Sequence, residues 1–312
     1  MDFLSDIAKE IGSEYVSLAS DIVEEERYVD TGSYIFNALV SGSVFGGLSG
    51  NKITAIAGES STGKTFFALA VVKNFLEQNP DGGVVYFDTE SAITKTLLSD
   101  REIPTDRVLV TNVVTIEDFR SQALRIVDNY LKAPEEKRKP LMFVLDSLGM
   151  LSTNKEIQDA LDDKTVRDMT KSQLVKGAFR MLTLKLGQAD IPMIVTNHTY
   201  DVIGAYVPTK EMGGGSGLKY AATSIIYLSK SKENKMVGIR LFYDERGLDR
   251  YYGLLELGEA GGLWKNVAGR YDMGDGKKIY AKQILANPEQ YFTEEVMEKL
   301  DVIARGTFSY GG

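Results

Sequence analysis

The sequence predicts an α/β domain with a mainly parallel central sheet, and three observations support this prediction. From Lys52 onward, apolar runs alternate with segments of helical periodicity. The apolar runs are mostly continuous, as expected of strands whose two faces are both covered by helices. Strand-like and helix-like segments also follow one another in the order that a parallel sheet requires.

The elements follow in chain order. The predicted strands are KITAIAG, GVVYFDTE, RVLVTNVV, LMFVLDS, IPMIVTNHT and ATSIIYLSK. The predicted helices are KTFFALAVVKNFLEQN, IEDFRSQALRIVDNYLK and TVRDMTKSQLVKGAFRMLTLKLG. In MVGIRLFYDE, apolar and polar residues alternate enough to predict an edge or antiparallel strand. LDRYYGLLELGEAGG predicts a helix stopped by glycines, and DMGDGKK predicts a short hairpin before a C-terminal helical piece.

The two ends of the chain differ from this central pattern. At the start, apolar residues recur at helical spacing in two short stripes, which are Phe3, Leu4, Ile7, Ala8, Ile11 and Tyr15, Leu18, Ala19, Ile22. Such a short helix must dock on its own domain or on a neighbouring subunit. The predicted organisation is an N-terminal helical arm at 1–30, a core at 31–250 and a small C-terminal α/β region at 251–312.

Composition excludes several function classes. Apolar residues make up 43% and charged residues 26%, which is ordinary for a soluble globular protein. The absence of cysteine excludes disulfides and thiol chemistry, and a single histidine excludes a histidine-rich metal site. No signal peptide or membrane span is expected, which fits the cytoplasm. A net charge of −8 argues against coating nucleic acid by bulk charge but permits a local basic groove.

The segment GESSTGKT, at residues 58–65, joins the first strand to the first helix. It fits G-x-x-x-x-G-K-[ST], in which glycines let backbone N–H groups turn inward around phosphate oxygens. The lysine reaches the β- and γ-phosphates, and the threonine hydroxyl ligates Mg²⁺. An ATP–Mg²⁺ site is therefore predicted, with the residues Gly58, Glu59, Ser60, Ser61, Thr62, Gly63, Lys64, Thr65 and Phe66.

Polar residues end three other predicted strands. Asp146 closes LMFVLDS, where a carboxylate beside the phosphate loop can hold Mg²⁺ directly or through water. Asp88 and Glu90 end VVYFDTE, and either could orient the water that attacks the γ-phosphate. His198, the only histidine, is either an ordinary strand-end residue or a group beside the γ-phosphate. Capping a loop or a helix is the alternative role for the carboxylates.

Together with VLDSLGMLSTNKEIQDALDDKTVRDMTKSQLVKGAFR, TNHTY and MGGGSGLKYAA, these motifs resemble the RecA-type recombinases, and among them the UvsX group of T-even-like phages and cyanophages. The resemblance runs from about Tyr28 to the C-terminal hairpin. It implies a RecA-like P-loop ATPase core that depends on single-stranded DNA. It also implies a helical filament that exchanges strands with a homologous duplex. Single-strand-binding and loader proteins would be its partners. The implied location is the cytoplasm of a phage-infected bacterium.

The same resemblance assigns roles to positions. Glu90 matches the catalytic glutamate, Asp146 the magnesium-linked aspartate and His198 the γ-phosphate sensor. Residues 152–166 match the first DNA-binding loop, 200–216 match the second, and 1–30 match the arm that links protomers. The predicted DNA-binding residues are Lys155, Lys164, Arg167, Tyr206, Lys210, Gly213, Gly214, Gly215 and Ser216. Because acidic residues are interleaved with the lysines of the first loop, a solvated helix face is the alternative for each of them.

Two departures from the family pattern bear on activity. Leu97 stands near the place where relatives offer a tyrosine to stack on adenine. IIYLSKSKENKMVGIRLF lacks about one hairpin from which relatives extend basic residues to a neighbour's phosphates, and Lys230, Lys232 and Lys235 are the candidates to replace them. Beside the recombinase, two hypotheses stand: a ring-forming RecA-fold helicase, and an ATP- and DNA-binding filament protein with little turnover.

Overall fold

The computed structural model describes residues 3–12, 16, 18–21, 27–164, 170–201, 210–213, 215–229, 238–273 and 276–308. Within them, the strands are β1 (Tyr28–Val29), β2 (Leu48–Ser49), β3 (Ile53–Gly58), β4 (Gly83–Asp88), β5 (Val108–Asn112), β6 (Leu141–Asp146), β7 (Met193–Asp201), β8 (Lys210–Met212), β9 (Ala222–Leu228), β10 (Lys265–Val267), β11 (Arg270–Asp272) and β12 (Lys278–Tyr280). The α-helices are α1 (Phe3–Ile11), α2 (Tyr34–Ser41), α3 (Lys64–Gln78), α4 (Lys95–Ser99), α5 (Ile116–Lys132), α6 (Asn154–Leu161), α7 (Lys171–Ala189), α8 (Ser216–Ala221), α9 (Leu254–Ala260), α10 (Ala281–Ala286) and α11 (Glu294–Phe308).

The main sheet has the strand order β5-β4-β6-β7-β3-β9, and β8 pairs with β7 off this path. All neighbours along the path are parallel, whereas β8 runs antiparallel to β7. This architecture confirms the predicted α/β fold with a mainly parallel central sheet. Its six parallel strands are the six predicted ones, with ends shifted by at most two residues.

Apolar cores cover both faces of that sheet. On one face, α5 and α7 contribute Phe119 and Phe179 to a core that includes Phe143 of β6. On the other face, α3 contributes Leu69 to a second core. A third core joins α2 to the C-terminal region around Trp264. Burial from both sides explains why the central strands are continuously apolar.

The parallel arrangement brings the carboxyl ends of four strands to one edge of the sheet. Asp88 of β4 lies opposite Asp146 of β6, and Gly58 of β3 lies opposite His198 of β7. The strands β6 and β7 are themselves neighbours. The phosphate loop, the acidic strand ends and the histidine therefore meet at the edge where open α/β sheets bind ligands.

The predicted strand MVGIRLFYDE is wrong for its described part, residues 238–245. Those residues form an irregular turn in which Leu241 makes a single antiparallel bridge with Leu248. Phe242 N donates to Gly247 O at 2.8 Å, and Ile239 and Leu241 pack against the core beside α3. The apolar side chains of this segment are therefore covered by packing against the core beside α3, and the segment does not add a strand to the main sheet.

The C-terminal region contains a three-stranded antiparallel sheet with the order β10-β11-β12. The predicted hairpin at DMGDGKK joins β11 to β12, and the helical piece after it is α10. The glycine-stopped helix is confirmed as α9, although it is shorter than the predicted segment. The long helix α11 was not predicted from the sequence.

The N-terminal helix α1 confirms the first apolar stripe, and none of its residues is buried. Phe3 is 74% exposed and Ile11 is 58% exposed, so the described part of the chain leaves this stripe uncovered. In the second stripe, the described residues 19–21 form a 3₁₀ turn. Within the described ranges, no helix combines the length and apolar character needed to cross a membrane.

Candidate active site

The phosphate loop curls between β3 and α3. Ser61 and Gly63 adopt left-handed backbone conformations, with φ angles of 59° and 88°. Lys64 is buried, and its Nζ donates to the carbonyl oxygens of Gly58 at 3.0 Å and of Glu59 at 2.7 Å. Thr62 Oγ1 donates to the same Glu59 carbonyl at 2.8 Å. These bonds hold the loop as a tight turn across which the lysine side chain lies.

The first glycine of the loop is required by close packing. A Cβ atom on residue 58 would lie 2.7 Å from the carbonyl oxygen of Leu228 on β9 and 2.7 Å from Thr62 Oγ1. Such distances are well inside van der Waals contact, so any larger residue would push the loop off the sheet. The sequence pattern and the tertiary packing therefore demand the same residue here.

An aromatic pair borders the loop. The rings of Phe66 and Tyr243 meet edge to face with centroids 4.7 Å apart, and the Arg101 guanidinium lies 4.6 Å from the Phe66 centroid. The Phe66 ring, which was predicted to belong to the ATP site, thus contacts Tyr243 and Arg101, which lie outside the loop. Leu97 packs against the core beside α3, whereas Tyr243 is 60% exposed. Tyr243 was not predicted from the sequence, because no local pattern links it to a loop so far away along the chain.

The aspartate at the end of β6 is buried and held by two hydroxyl groups. Tyr86 donates to Asp146 Oδ2 at 2.8 Å, and Thr196 donates to Asp146 Oδ1. Burial, reinforced by the Asp146 carboxylate, raises the pKa of Tyr86 well above its usual value, so the phenol remains a donor. The Asp146–Ser147 peptide bond is cis. Neither hydroxyl was predicted, and the signal for both is a polar side chain inside an apolar strand.

Glu90 lies just beyond β4 and contacts side chains from two other strand ends. Its Oε1 accepts a hydrogen bond from the Ser147 hydroxyl at 3.1 Å and lies 3.6 Å from His198 Nε2. Asp88 is buried instead, and it accepts bonds from the backbone N–H groups of Glu90 at 3.0 Å and Ile93 at 2.9 Å. Of the two carboxylates, Asp88 holds the turn, whereas Glu90 lies among the other candidate residues.

His198 is tied to the glycine-rich segment through its neighbour Asn197. Asn197 is fully buried, and its Nδ2 donates to Gly213 O at 2.8 Å. Its Oδ1 accepts from His198 N at 2.9 Å, and Gly213 N donates to His198 O at 3.0 Å. Two of these hydrogen bonds link β7 to Gly213, and the third holds the Asn197 side chain against the His198 backbone. Asn197 was not predicted, although a buried amide in an apolar strand is a signal for such a clamp.

The end of the second predicted DNA-binding segment packs against α7. A Cβ atom on Gly215 would lie 2.3 Å from Ser172 Oγ, and one on Gly217 would lie 2.8 Å from the Lys176 backbone. Gly215 in the second segment and Gly217 just after it therefore pack on the first turns of α7, the helix that follows the first segment. Glycine at these positions lets the backbone approach α7 closely.

The described lysines of the first segment pair with acidic neighbours. Lys164 Nζ lies 2.9 Å from an oxygen of Asp162, and Lys155 contacts Asp159 one helical turn away. In the second segment, the backbone of Lys210 pairs with β7, and Ser216 begins α8. The remaining candidates lie outside the described residues: Arg167, Tyr206, Gly214, Lys230, Lys232 and Lys235.

The fold and the phosphate loop together define a P-loop protein of the RecA class, and the comparisons with known proteins agree. The model of the RecA N-terminal domain matches residues 2–240, so the chain belongs to the RecA family. It is 34% identical over 212 residues to the recombination and repair protein of Enterobacteria phage T4. That match covers 68% of this chain and 52% of the phage protein, so the chain spans about half the length of that relative.

Two bacterial relatives match more of their own length. The chain is 25% identical over 242 residues to the RecA protein of Malacoplasma penetrans, covering 76% of this chain and 68% of that protein. It is also 25% identical over 332 aligned residues to the RecA protein of a Nocardioides species, covering 96% and 90%. The similarity therefore extends beyond the phosphate loop to most of the chain.

Proposed function

We propose that this chain is an ATP- and single-stranded-DNA-dependent recombinase that forms helical filaments and exchanges strands with a homologous duplex. One observation carries the proposal. The phosphate loop, Glu90, Asp146 and His198 meet at one edge of the sheet, and Asn197 ties that edge to the segment proposed to bind DNA. The similarity to a recombination and repair protein and to two RecA proteins supports the same proposal.

In the proposed site, the loop amides and Lys64 bind the β- and γ-phosphates of ATP. The donors fit magnesium, because the Thr65 hydroxyl and the Asp146 carboxylate are hard oxygen ligands. Thr65 and Asp146 would hold the ion, which would supply positive charge to neutralise the charge that develops on the transferred group. In the described part of the chain, no group of three or more acidic or histidine side chains is arranged to hold a metal without the nucleotide.

Hydrolysis assigns separate roles to Glu90 and His198. Glu90 orients a water for attack on the γ-phosphorus and accepts its proton, while the bond from that phosphorus to the ADP oxygen breaks. Ser147 steadies one oxygen of this carboxylate through its 3.1 Å hydrogen bond. His198 senses the γ-phosphate, and the bonds through Asn197 carry the nucleotide state into the second DNA-binding segment.

The remaining proposals concern assembly and DNA. Residues 152–166 and 200–216 bind single-stranded DNA, with Lys155 and Lys164 at phosphates and glycine amides close to the backbone. The uncovered stripe of α1 supports an arm at 1–30 that links protomers, ahead of a core at 31–250 and a small C-terminal region at 251–312. Filament formation would complete the coverage of that stripe.

The ATP hydrolysis rate, measured with and without single-stranded DNA, tests the proposal. We expect DNA to stimulate hydrolysis several-fold, and joint molecules to form between single strands and a homologous duplex. Electron microscopy of the ATP and DNA complex should show helical filaments, and rings would favour a helicase. Filaments with negligible turnover would favour the non-hydrolysing alternative, and the absence of any DNA effect would contradict the recombinase.

A further inference from the structure

The carboxylate of Asp146 is held from both sides within the sheet. Its strand, β6, lies between β4 and β7, and each neighbour directs one hydroxyl group at it. Tyr86 of β4 donates to Oδ2 at 2.8 Å, and Thr196 of β7 donates to Oδ1. Tyr86 is aligned with Val144, two residues before Asp146, so its side chain reaches forward along the sheet to the carboxylate. Thr196 follows Val195, the partner of Leu145, and therefore stands level with Asp146.

Packing alone does not account for these two hydroxyl groups. Tyr86 and Thr196 are both fully buried, and the surrounding strand positions are apolar, as at Val84, Val144 and Ile194. A buried hydroxyl destabilises a core unless it is hydrogen-bonded, whereas phenylalanine and valine fill nearly the same volumes without that requirement. Both hydroxyls nevertheless point their hydrogen at the same acidic side chain. Because both hydroxyls donate to Asp146, we infer that they act on this carboxylate rather than on the packing of the core.

We propose that Tyr86 and Thr196 are positioning residues that orient the Asp146 carboxylate toward magnesium-bound nucleotide. The inference rests on the nucleotide site proposed above. A carboxylate has about four lone-pair sites, so two hydrogen bonds leave room for an ion or a water molecule. With one bond on each oxygen, the carboxylate group cannot rotate without breaking one of them. Hydrogen-bond partners of metal ligands set metal affinity through this kind of orientation.

The magnesium dependence of nucleotide binding tests the inference without using turnover. The full chain is titrated with a fluorescent ADP at increasing Mg²⁺ concentrations, and again in EDTA. Tyr86→Phe and Thr196→Val should each raise the Mg²⁺ concentration for half-maximal binding by about tenfold, while binding in EDTA changes by less than about twofold. In the double variant the two effects should not multiply, because both donors act on one carboxylate.

Two further variants separate orientation from general damage. Tyr130→Phe is the matched control, since the Tyr130 hydroxyl donates to Lys139 O at 2.9 Å just before β6 begins, at the opposite edge of the sheet. It should leave the magnesium response unchanged. Thr196→Ser keeps a hydroxyl and should recover most of the response that Thr196→Val loses. If Tyr86→Phe does not fold, the magnesium midpoints of Thr196→Val and Thr196→Ser still test the inference, because only Thr196→Val lacks the hydroxyl.

Two results would overturn the inference alone. One is an unchanged magnesium midpoint in both Tyr86→Phe and Thr196→Val. The other is an equal loss of ADP binding with and without Mg²⁺, since that reports lost structure rather than lost orientation. If the wild-type chain shows no magnesium-dependent nucleotide binding, the proposed function itself fails and the inference fails with it.

Discussion

The nucleotide edge of the sheet and the first predicted DNA-binding segment hold their charged residues in different ways. At the edge, Asp146 and Lys64 are buried and make hydrogen bonds to fixed partners from neighbouring strands or the loop. In the segment, Lys155 and Lys164 are exposed and pair with acids only two to four residues away. The fold therefore builds the proposed nucleotide site in advance, whereas the proposed DNA contacts depend on exposed groups that individually contribute little.

The largest effects that can break this contrast are expected at Glu90 and Lys64. Glu90→Gln should slow ATP hydrolysis by about 100- to 10,000-fold, because a positioned general base is lost, while ATP still binds. Lys64→Ala should abolish turnover, because phosphate binding is lost. Single-turnover hydrolysis measures the loss of rate in each variant, and equilibrium binding measures whether ATP still binds. Glu102→Gln, on the exposed surface beside Lys73, is the matched control, and near-normal hydrolysis by Glu90→Gln would disprove the assignment.

The next effect tests the link between the two regions. His198→Ala and Asn197→Ala should each reduce the ratio of DNA affinity in ATP to DNA affinity in ADP by about tenfold, a typical coupling between sites. ATP affinity should change much less. Fluorescence anisotropy of labelled single strands gives the ratio, and thermal unfolding checks that the buried Asn197 site tolerates alanine. The sensor role is wrong if DNA and ATP affinities fall together or if neither falls.

A smaller effect is expected at the rim of the proposed nucleotide site. Tyr243→Ala should weaken ATP binding by about three- to tenfold, because the exposed ring beside the loop can stack on the base. Tyr243→Phe keeps the ring and should bind normally. Tyr280, which is 47% exposed on β12, supplies the control Tyr280→Ala. Equal ATP dissociation constants for wild type and Tyr243→Ala would exclude the ring from the site.

The smallest effect is expected from one exposed lysine of the DNA-binding segment. Lys164→Ala should weaken single-stranded DNA binding by about twofold and lower the slope of log affinity against log salt by about 0.7, as one phosphate contact predicts. Lys299→Ala removes a similar exposed pair, 2.6 Å from Glu295 on α11, and serves as the control. An unchanged salt slope would show that Lys164 does not contact a DNA phosphate and belongs to a solvated surface.

Signals that lie within one short segment predicted much of the molecule. The phosphate loop is a continuous pattern of glycines, lysine and threonine, and the positions of Asp146 and His198 follow from apolar runs that stop at polar residues. Spacing alone left Asp88 and Glu90 open, and the family resemblance favoured Glu90. The structure adds that Asp88 binds the backbone of the turn, whereas Glu90 accepts a hydrogen bond from Ser147. Tyr243 could not be predicted, since it reaches the loop from a distant segment that forms no regular strand.

The sequence by itself determined the alternation of strands and helices, the phosphate loop and the residues that end the central strands. Those features depend on local periodicity and on residue types that one motif requires. Only the tertiary structure decided which strands lie side by side, and hence that Tyr86 and Thr196 flank Asp146 and that Asn197 holds Gly213. Strand order depends on packing between segments distant in sequence, so these contacts have no local signature.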